Sequence, residues 1–406
     1  MKTRILNLLL PVLALTAAAC GDSFEFGTPT HDLDEGTDLS AGTTQVLWKN
    51  KGAVYPTKRI HNFRIPGLVR TPHKLIAFCE AREETGSTNK DGGDIDLVYR
   101  VSTDDGQTWG PSQVLFDDED NTCGNACAVW TESNYFSFEE SQRYHNHVVS
   151  FYSDDEGATW SGPFKWFTEN RNSDPGRYLW TGFFKAGPGH AIQLKTGEHK
   201  GRILVGCDHK YQVFGGTAVP ADSEDENYYG SHVAYSDDNG ESWHMLELDE
   251  ELHYGNECVP VELSDGRIYL DMRGTGAYKK QRGWSVSGDG GITWSRYTPN
   301  PLRTDPGCQG SIVNYNTTGV PSSVILASSN NSTTRDHLSI RASLDDCATW
   351  KTDVYQITDG KSGYSDMVVF DDGSVGVLYE NGPTHYSEQI SFRKIPAATI
   401  AKYINE

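Results

Sequence analysis

The side chains of this 406-residue chain that could do chemistry are scattered, not gathered into one short motif. Arginine stands in Phe63-Arg64-Ile65-Pro66, in Leu270-Asp271-Met272-Arg273-Gly274 and in Arg335-Asp336-His337-Leu338, with Arg82 in Cys79-Glu80-Ala81-Arg82. A guanidinium is planar, always charged and able to grip a carboxylate with two parallel hydrogen bonds, so converging arginines would make an anion site. A lone arginine is by default a surface residue. Tyr364, in Ser362-Gly363-Tyr364-Ser365-Asp366-Met367, is one of 20 tyrosines. A phenol with an ordinary pKa of about 10 becomes a nucleophile only beside a base; otherwise it packs, here ahead of the apolar run Met367 to Phe370. The candidate bases and acids are Glu257 and Glu262 in Asn256-Glu257-Cys258-Val259-Pro260-Val261-Glu262, and Asp91, Asp94 and Asp96 in Asn89-Lys90-Asp91-Gly92-Gly93-Asp94-Ile95-Asp96. Glu262 borders the turn Ser264-Asp265-Gly266-Arg267, which suits a solvated strand residue, and an aspartate before Gly-Gly suits a plain turn.

Metal chemistry is not indicated. After Cys20, seven cysteines remain (Cys79, Cys123, Cys127, Cys207, Cys258, Cys308 and Cys347), an odd number that leaves at least one free or paired between chains. Cys123 and Cys127 are the nearest pair, and an oxidising compartment would let them join. No second close pair completes a zinc set. His190, in Gly187-Pro188-Gly189-His190-Ala191-Ile192-Gln193-Leu194, reads as part of a loop with no catalytic role.

The elements that must position these groups are announced by a repeat. Ser-x-Asp-x-Gly-x-Thr-Trp occurs complete at Ser102–Trp109, Ser153–Trp160 and Ser287–Trp294; Ser236–Trp243 has Ser242 for Thr, and Ser343–Trp350 has Cys347 for Gly. Five of the ten tryptophans lie in these boxes, so the recurrence is not accidental. The Asp can accept the turn's own N–H groups, Gly permits positive φ, and the Trp is placed to pack between neighbouring sheets. Strand-like runs precede the boxes: Ile95 to Val101, His147 to Tyr152 and Leu338 to Arg341. The box is therefore structural, the turn of a hairpin. Box starts are 51, 83, 51 and 56 residues apart, which fits a β-propeller with four strands per blade. Residues 46–406 suffice for six blades of about 60 residues, so the expected fold is all-β, a six-bladed β-propeller of four-stranded antiparallel blades. The longest interval, Phe164 to Tyr229, reads as a loop-rich insertion. Val46-Leu47-Trp48 and Gln389-Ile390-Ser391-Phe392 are strands from opposite ends of the chain that could close the ring.

Ahead of the propeller, Lys2 and Arg4 precede the apolar stretch Leu8 to Leu15, too short to span a bilayer, which ends in Thr16-Ala17-Ala18-Ala19-Cys20-Gly21. Residues 1–19 resemble a bacterial lipoprotein signal peptide, with Cys20 the acylated first residue of the mature chain; ordinary cleavage beside an incidental cysteine is the alternative. Residues 20–45, rich in Gly, Thr, Asp and Ser, suit a flexible tether. The implied protein is exported, bacterial and lipid-anchored to the cell envelope at the outer membrane or periplasmic face, touching the membrane only through Cys20. At 36% hydrophobic and 22% charged residues, the composition excludes a disordered chain and a polytopic membrane protein. A net charge of −21, or −23 without Lys2 and Arg4, disfavours nucleic acid or an anionic membrane as partner, while leaving room for a local basic pocket.

Phe63-Arg64-Ile65-Pro66 followed by repeated boxes resembles the exo-sialidase (neuraminidase) superfamily over nearly all of the chain after residue 45. The resemblance implies a site for a sialic acid, a sugar with a carboxylate on its anomeric carbon. Arg64, Arg273 and Arg335 match the three arginines that hold that carboxylate, Arg335 in preference to Arg341 inside the following strand. Tyr364 matches the nucleophile and Glu257 the base beside it. A neutral phenol can approach where a carboxylate would be repelled by the substrate's own. Asp91 matches the acid on a loop before the Asp-Ile-Asp-Leu-Val strand, Glu380 in Val377-Leu378-Tyr379-Glu380 the carboxylate that orients Arg64, and Arg82 an arginine facing ring hydroxyls. The implied activity is retaining hydrolysis of terminal sialic acids from glycans by a monomer that needs no cofactor or metal. Transfer to another acceptor, intramolecular transfer, or sialic-acid binding without catalysis are the alternatives on the same scaffold.

Overall fold

The computed structural model describes residues 42–406 apart from 51–53, 56–57, 84–90, 132–134, 142–146, 167–179, 212, 215–216, 219–224 and 246–249. The signal segment, Cys20 and most of the expected tether lie outside the described residues. The first described strand, Thr44–Lys49, begins two residues inside the stretch expected to be tether.

The chain forms successive sheets of four or five strands arranged as a β-propeller, each built mainly from consecutive hairpins. Lys58–Arg70, Cys123–Trp130, Cys258–Glu262, Ile312–Asn314 and Lys361–Val369 are first strands that pack side by side toward the axis. They are covered on both faces, which is why Cys123–Trp130 and Cys258–Glu262 are buried almost throughout and lack a clean polar alternation.

Every box joins the two strands at one edge of its sheet. In the first, Ser102 Oγ donates to Asp104 Oδ1 at 2.7 Å and accepts from Gly106 N–H at 2.8 Å; Asp104 Oδ1 accepts from Thr108 N–H at 2.8 Å. Asp105 and Gly106 are both left-handed, at φ 56° and 83°, a pair that favours Gly in the second place. Cys347 occupies that place in the last box at φ 65°. The tryptophans pack against the neighbouring sheet: Trp109 edge-on to Phe392 at 5.2 Å, and Trp160 edge-on to Phe78 at 6.0 Å.

The expectation of six four-stranded antiparallel blades is corrected in three respects. The repeat builds five blades, one per box. The remaining sheet joins Thr44–Lys49, antiparallel, to Gln389–Ile395, Val375–Gly382 and Lys361–Val369, carries no box and so is not a copy of the repeat. Strand number is uneven, because loop segments add short strands: three sheets have five strands, and Gly189–His190 pairs in parallel with Cys123–Trp130. The Phe164 to Tyr229 interval is also not simply an insertion. It contains Trp180–Ala186 and Ile203–Tyr211, two long strands of the third sheet, and a two-stranded ribbon, Val213–Phe214 with Thr217–Ala218. The box Ser236–Trp243 marks only the last two strands of that blade, and the apolar run Ile203-Leu204-Val205 was the signal for an earlier one.

The seven cysteines from Cys79 to Cys347 are buried and stand outside any disulfide, Cys123 and Cys127 included. Ala397–Asn405, the one α-helix among the described residues, buries Ile400 and Tyr403 against the last sheets.

Candidate active site

Arg64, Glu257 and Tyr364 lie in or beside three different inner strands, Lys58–Arg70, Cys258–Glu262 and Lys361–Val369, which brings together groups far apart in sequence. Arg64 is aimed by a break in its own strand. Pro66 has no N–H to give to the ladder, and the pairing of Lys58–Arg70 with Leu75–Glu83 shifts register between Arg64 and Gly67. Ile65 in this bulge has φ 58°, a strained value for a β-branched residue. Glu380 holds the bulge in place: Oε1 accepts from Arg64 Nε at 2.5 Å and from Ile65 N–H at 3.0 Å, and Oε2 accepts from Arg64 Nη2 at 3.3 Å and from Tyr364 N–H at 3.0 Å. One buried carboxylate thus fixes both the arginine and the backbone of the tyrosine.

The Tyr364 hydroxyl donates to Glu257 Oε1 at 2.6 Å and accepts from Arg273 Nη1 at 2.8 Å, while Arg273 Nη1 also reaches Glu257 Oε2 at 2.8 Å. Arg335 Nη2 donates to Gly307 O at 3.3 Å. Its guanidinium lies 5.6 Å from the Tyr364 ring centre and 4.5 Å from that of Tyr386; Arg64 lies 5.5 and 5.2 Å from the same rings. Three arginines therefore surround one phenol, two of them between two aromatic faces.

A second arm carries the exposed acid. Arg82 Nε and Nη2 donate to Glu80 Oε2 at 2.8 and 2.6 Å, and Nη1 donates to Asp91 Oδ1 at 2.9 Å. Glu80 also accepts from Asn125 N–H at 3.0 Å and is paired across the strands with Arg64. The Asp91 side chain is 75% exposed, whereas Asp94 and Asp96 are buried, so only Asp91 of the three is open to a ligand.

The charges are tuned by these contacts. Burial opposes ionisation of Glu380, but the Arg64 guanidinium outweighs it and lowers the carboxyl below its ordinary value. For Asp91, burial is likewise outweighed by Arg82 and Arg64, and its value falls. Burial, and then the Glu257 carboxylate, pushes the Tyr364 phenol well above its usual value, against the pull of Arg273 and Arg335. Tyr364 therefore rests protonated at neutral pH, with its proton already directed at Glu257.

Arg64, Arg273, Arg335, Glu257, Tyr364 and Glu380 are brought into one cluster, and Asp91 with Arg82 lies on its flank. Arg341 is directed elsewhere, donating to the backbone carbonyls of Lys351 and Thr352. Glu262 accepts from Lys195 and Thr196 N–H at the opposite end of its strand from Glu257. His190 bonds Asp366 at 2.7 Å beneath the cluster and does not join it. Arg82, expected to face a ligand, donates to Glu80 and Asp91. Two contributors escaped the sequence reading. Glu80 was legible in principle, since residues two apart on a strand share a face with each other. Tyr386 carried no signal, because a stacking partner for arginine is specified only by the folded geometry.

Residues 73–377 match the family described as BNR repeat-like domain. The chain is 29% identical to a sialidase of Micromonospora viridifaciens over 92% of this chain and 57% of that protein, so it spans little over half the length of that relative. It is 27% identical to a sialidase of Paraclostridium sordellii over 96% of each. Among solved structures, Trypanosoma rangeli sialidase in complex with sialic acid is similar with a TM-score of 0.68 and 20% identity, covering 90% of this chain and 60% of that one, a likeness of fold. Box repeats, propeller architecture and a match over most of its length agree: the chain belongs to the BNR repeat-like domain family.

Proposed function

We propose that this protein is an exo-α-sialidase, a glycoside hydrolase that removes terminal sialic acids from glycans with retention of configuration. The observation that carries the reading is the phenol of Tyr364 held at 2.6 Å from Glu257 and 2.8 Å from Arg273 inside a ring of arginines. The sialidases of Micromonospora and Paraclostridium support it. Arg64, Arg273 and Arg335 take the anomeric carboxylate, so that a strongly acidic chain binds an anion through its local potential.

In the first step Tyr364 Oη bonds to the anomeric carbon as Glu257 takes its proton; the glycosidic C–O bond breaks, and Asp91 gives a proton to the leaving oxygen. In the second, water attacks the same carbon and loses a proton to Asp91, while the tyrosyl bond breaks and Glu257 returns the proton to the phenolate. Two inversions leave the configuration unchanged. Arg82, held by Glu80, keeps Asp91 beside the site.

The test is turnover of sialyllactose isomers with product identification. Free sialic acid is expected; an anhydro-sugar or a sugar moved to another acceptor would replace hydrolysis with transfer. Tyr364→Phe should lose roughly 10³-fold or more in kcat on an aryl sialoside and stay folded. Undiminished turnover would remove the phenol from the chemistry.

The resemblance of residues 1–19 to a lipoprotein signal supports export and acylation of Cys20, residues 20–43 then linking lipid and propeller. Cys20→Ser should move the protein from the membrane to the soluble fraction of the envelope; an unchanged distribution would exclude the anchor.

A further inference from the structure

Behind the site lies a sealed group of charges. Asp271, Arg282, Arg303 and Asp305 are all buried. Arg282 Nε and Nη2 donate to Asp271 Oδ2 at 2.9 and 2.6 Å. Arg303 Nη1 donates to Asp271 Oδ1, and Arg303 Nη2 to Oδ2 at 3.2 Å. Asp305 Oδ2 stands 3.9 Å from Arg282 Nη1. Such groups are costly to take from water even when paired, and well-packed apolar residues usually stabilise a core as well. Core stability alone is a weak reason for them, which directs attention to what they hold.

They hold one loop. Asp305 Oδ1 accepts from Gly307 N–H and Cys308 N–H, both at 2.7 Å, and Arg282 Nη1 donates to Cys308 O at 2.8 Å. The stretch 305–309 is thus gripped by its amides and by a carbonyl. Gly307 has φ 84°, open to glycine, so the aim of its carbonyl is set by these anchors and not by a side chain. That loop meets the site twice. Gly307 O receives Arg335 Nη2 at 3.3 Å, and the Cys308 side chain packs with Ile65 and Tyr364.

We propose that Asp305 and Arg282 are positioning residues for the reaction: through loop 305–309 they set the place of Arg335 and the floor under Tyr364. The proposal rests on the sialidase reading for its kinetic test but not for its structural one. With the full chain and an aryl sialoside, Asp305→Ala should raise KM on the order of tenfold and change kcat much less, because a misplaced arginine loosens the carboxylate. Asp305→Asn, which keeps the Oδ1 acceptor, should restore most of the loss. In an Arg335→Ala background, Asp305→Ala should add less than about twofold, since both act through one contact. A lowered melting temperature with unchanged KM, or an equal penalty in both backgrounds, overturns the proposal. If Asp305→Ala does not fold, Arg282→Lys, which keeps the charge and loses the grip on Cys308 O, should raise KM in the same sense; an unchanged KM there also overturns it. Wild-type turnover is the separate control for the sialidase reading. A crystal structure of either variant with Arg335 and loop 305–309 unmoved overturns the proposal whatever the activity.

Discussion

The strands Lys58–Arg70, Cys258–Glu262 and Lys361–Val369 carry polar and charged groups in or beside them at two levels along their length, and the two ends of the stack use them differently. At one, Arg64, Glu257 and Tyr364 meet with Arg273 and Arg335, so three cations face one carboxylate and one phenol, with Glu380 behind them. At the other, Arg70 is spent on Asp371 in two parallel bonds of 2.8 and 2.7 Å, and Glu262 on the amides of Lys195 and Thr196. A cavity of about 710 Å³ opens there, lined by these residues and by His190 and Trp130. A hollow alone does not mark the site: here Arg70 and Glu262 are already engaged by Asp371 and by backbone amides, whereas at the other end three arginines surround one phenol. What distinguishes the ends is what the charges surround: at one of them Glu257, Arg273 and Arg335 converge on the buried Tyr364 phenol.

The contrast is broken most severely by removing the exposed acid. Asp91→Ala should lose about 10²–10⁴-fold in kcat/KM on natural glycans, whose leaving oxygen needs a proton, and far less on activated aryl sialosides. Equal losses on both would move the acid to another residue. The pH dependence follows with a definite sign. Arg82 and Arg64 hold the Asp91 carboxyl below its ordinary range despite its partial burial, so above that range the acid form becomes rarer as pH rises. The kcat/KM of wild type on glycans should therefore increase as pH falls toward the carboxylate range, and on aryl substrates this slope should be nearly absent. The same slope on both substrates would assign the titration elsewhere.

A smaller effect separates the carboxylate behind the site from those at the far end. Glu380→Gln leaves Arg64 buried without its charge partner, and loss of about 3–5 kcal/mol is expected from such a break. Its pH signature identifies it. The folded-state value of Glu380 lies below the unfolded one, so its stabilisation is present above the ordinary carboxylate range and is lost as pH falls through the lowered folded value. Denaturation of wild type from pH 7 downward should show this loss, and the variant should be flatter through the same window. Parallel curves would mean that the Arg64–Glu380 pair does not carry the charge linkage.

What was legible depended on how each feature is encoded. The boxes are local, with every hydrogen bond made within a few residues, so strand–turn–strand units could be read directly. Sheet composition is not local. Gly189–His190 joins its sheet by a parallel pair with a strand far earlier in the chain, and the ring closes on a sheet with no box, so arithmetic on repeat length misjudged the blades. Arg64, Glu257 and Tyr364 were found by resemblance, not by any local rule that makes them converge. Asp305, Arg282 and Asp271 carry no local signal that ties them to the site. Only folding places their charges around one loop.

The weakest intervention is the sharpest test of the two-ended comparison. Arg70 and Arg64 lie on one strand, six positions apart, and differ in what they face. Arg70 meets a largely exposed carboxylate, where a surface pair contributes about 0–1 kcal/mol. Arg70→Ala should therefore lower stability by no more than about 1 kcal/mol and change kcat/KM by less than about twofold, since the Arg70 guanidinium bonds Asp371, away from Tyr364. Steady-state kinetics on an aryl sialoside with a urea titration would check both. A tenfold loss of activity at preserved stability would mean that the far end communicates with the phenol along the first strands, and the division between a reactive end and a satisfied one would have to be redrawn.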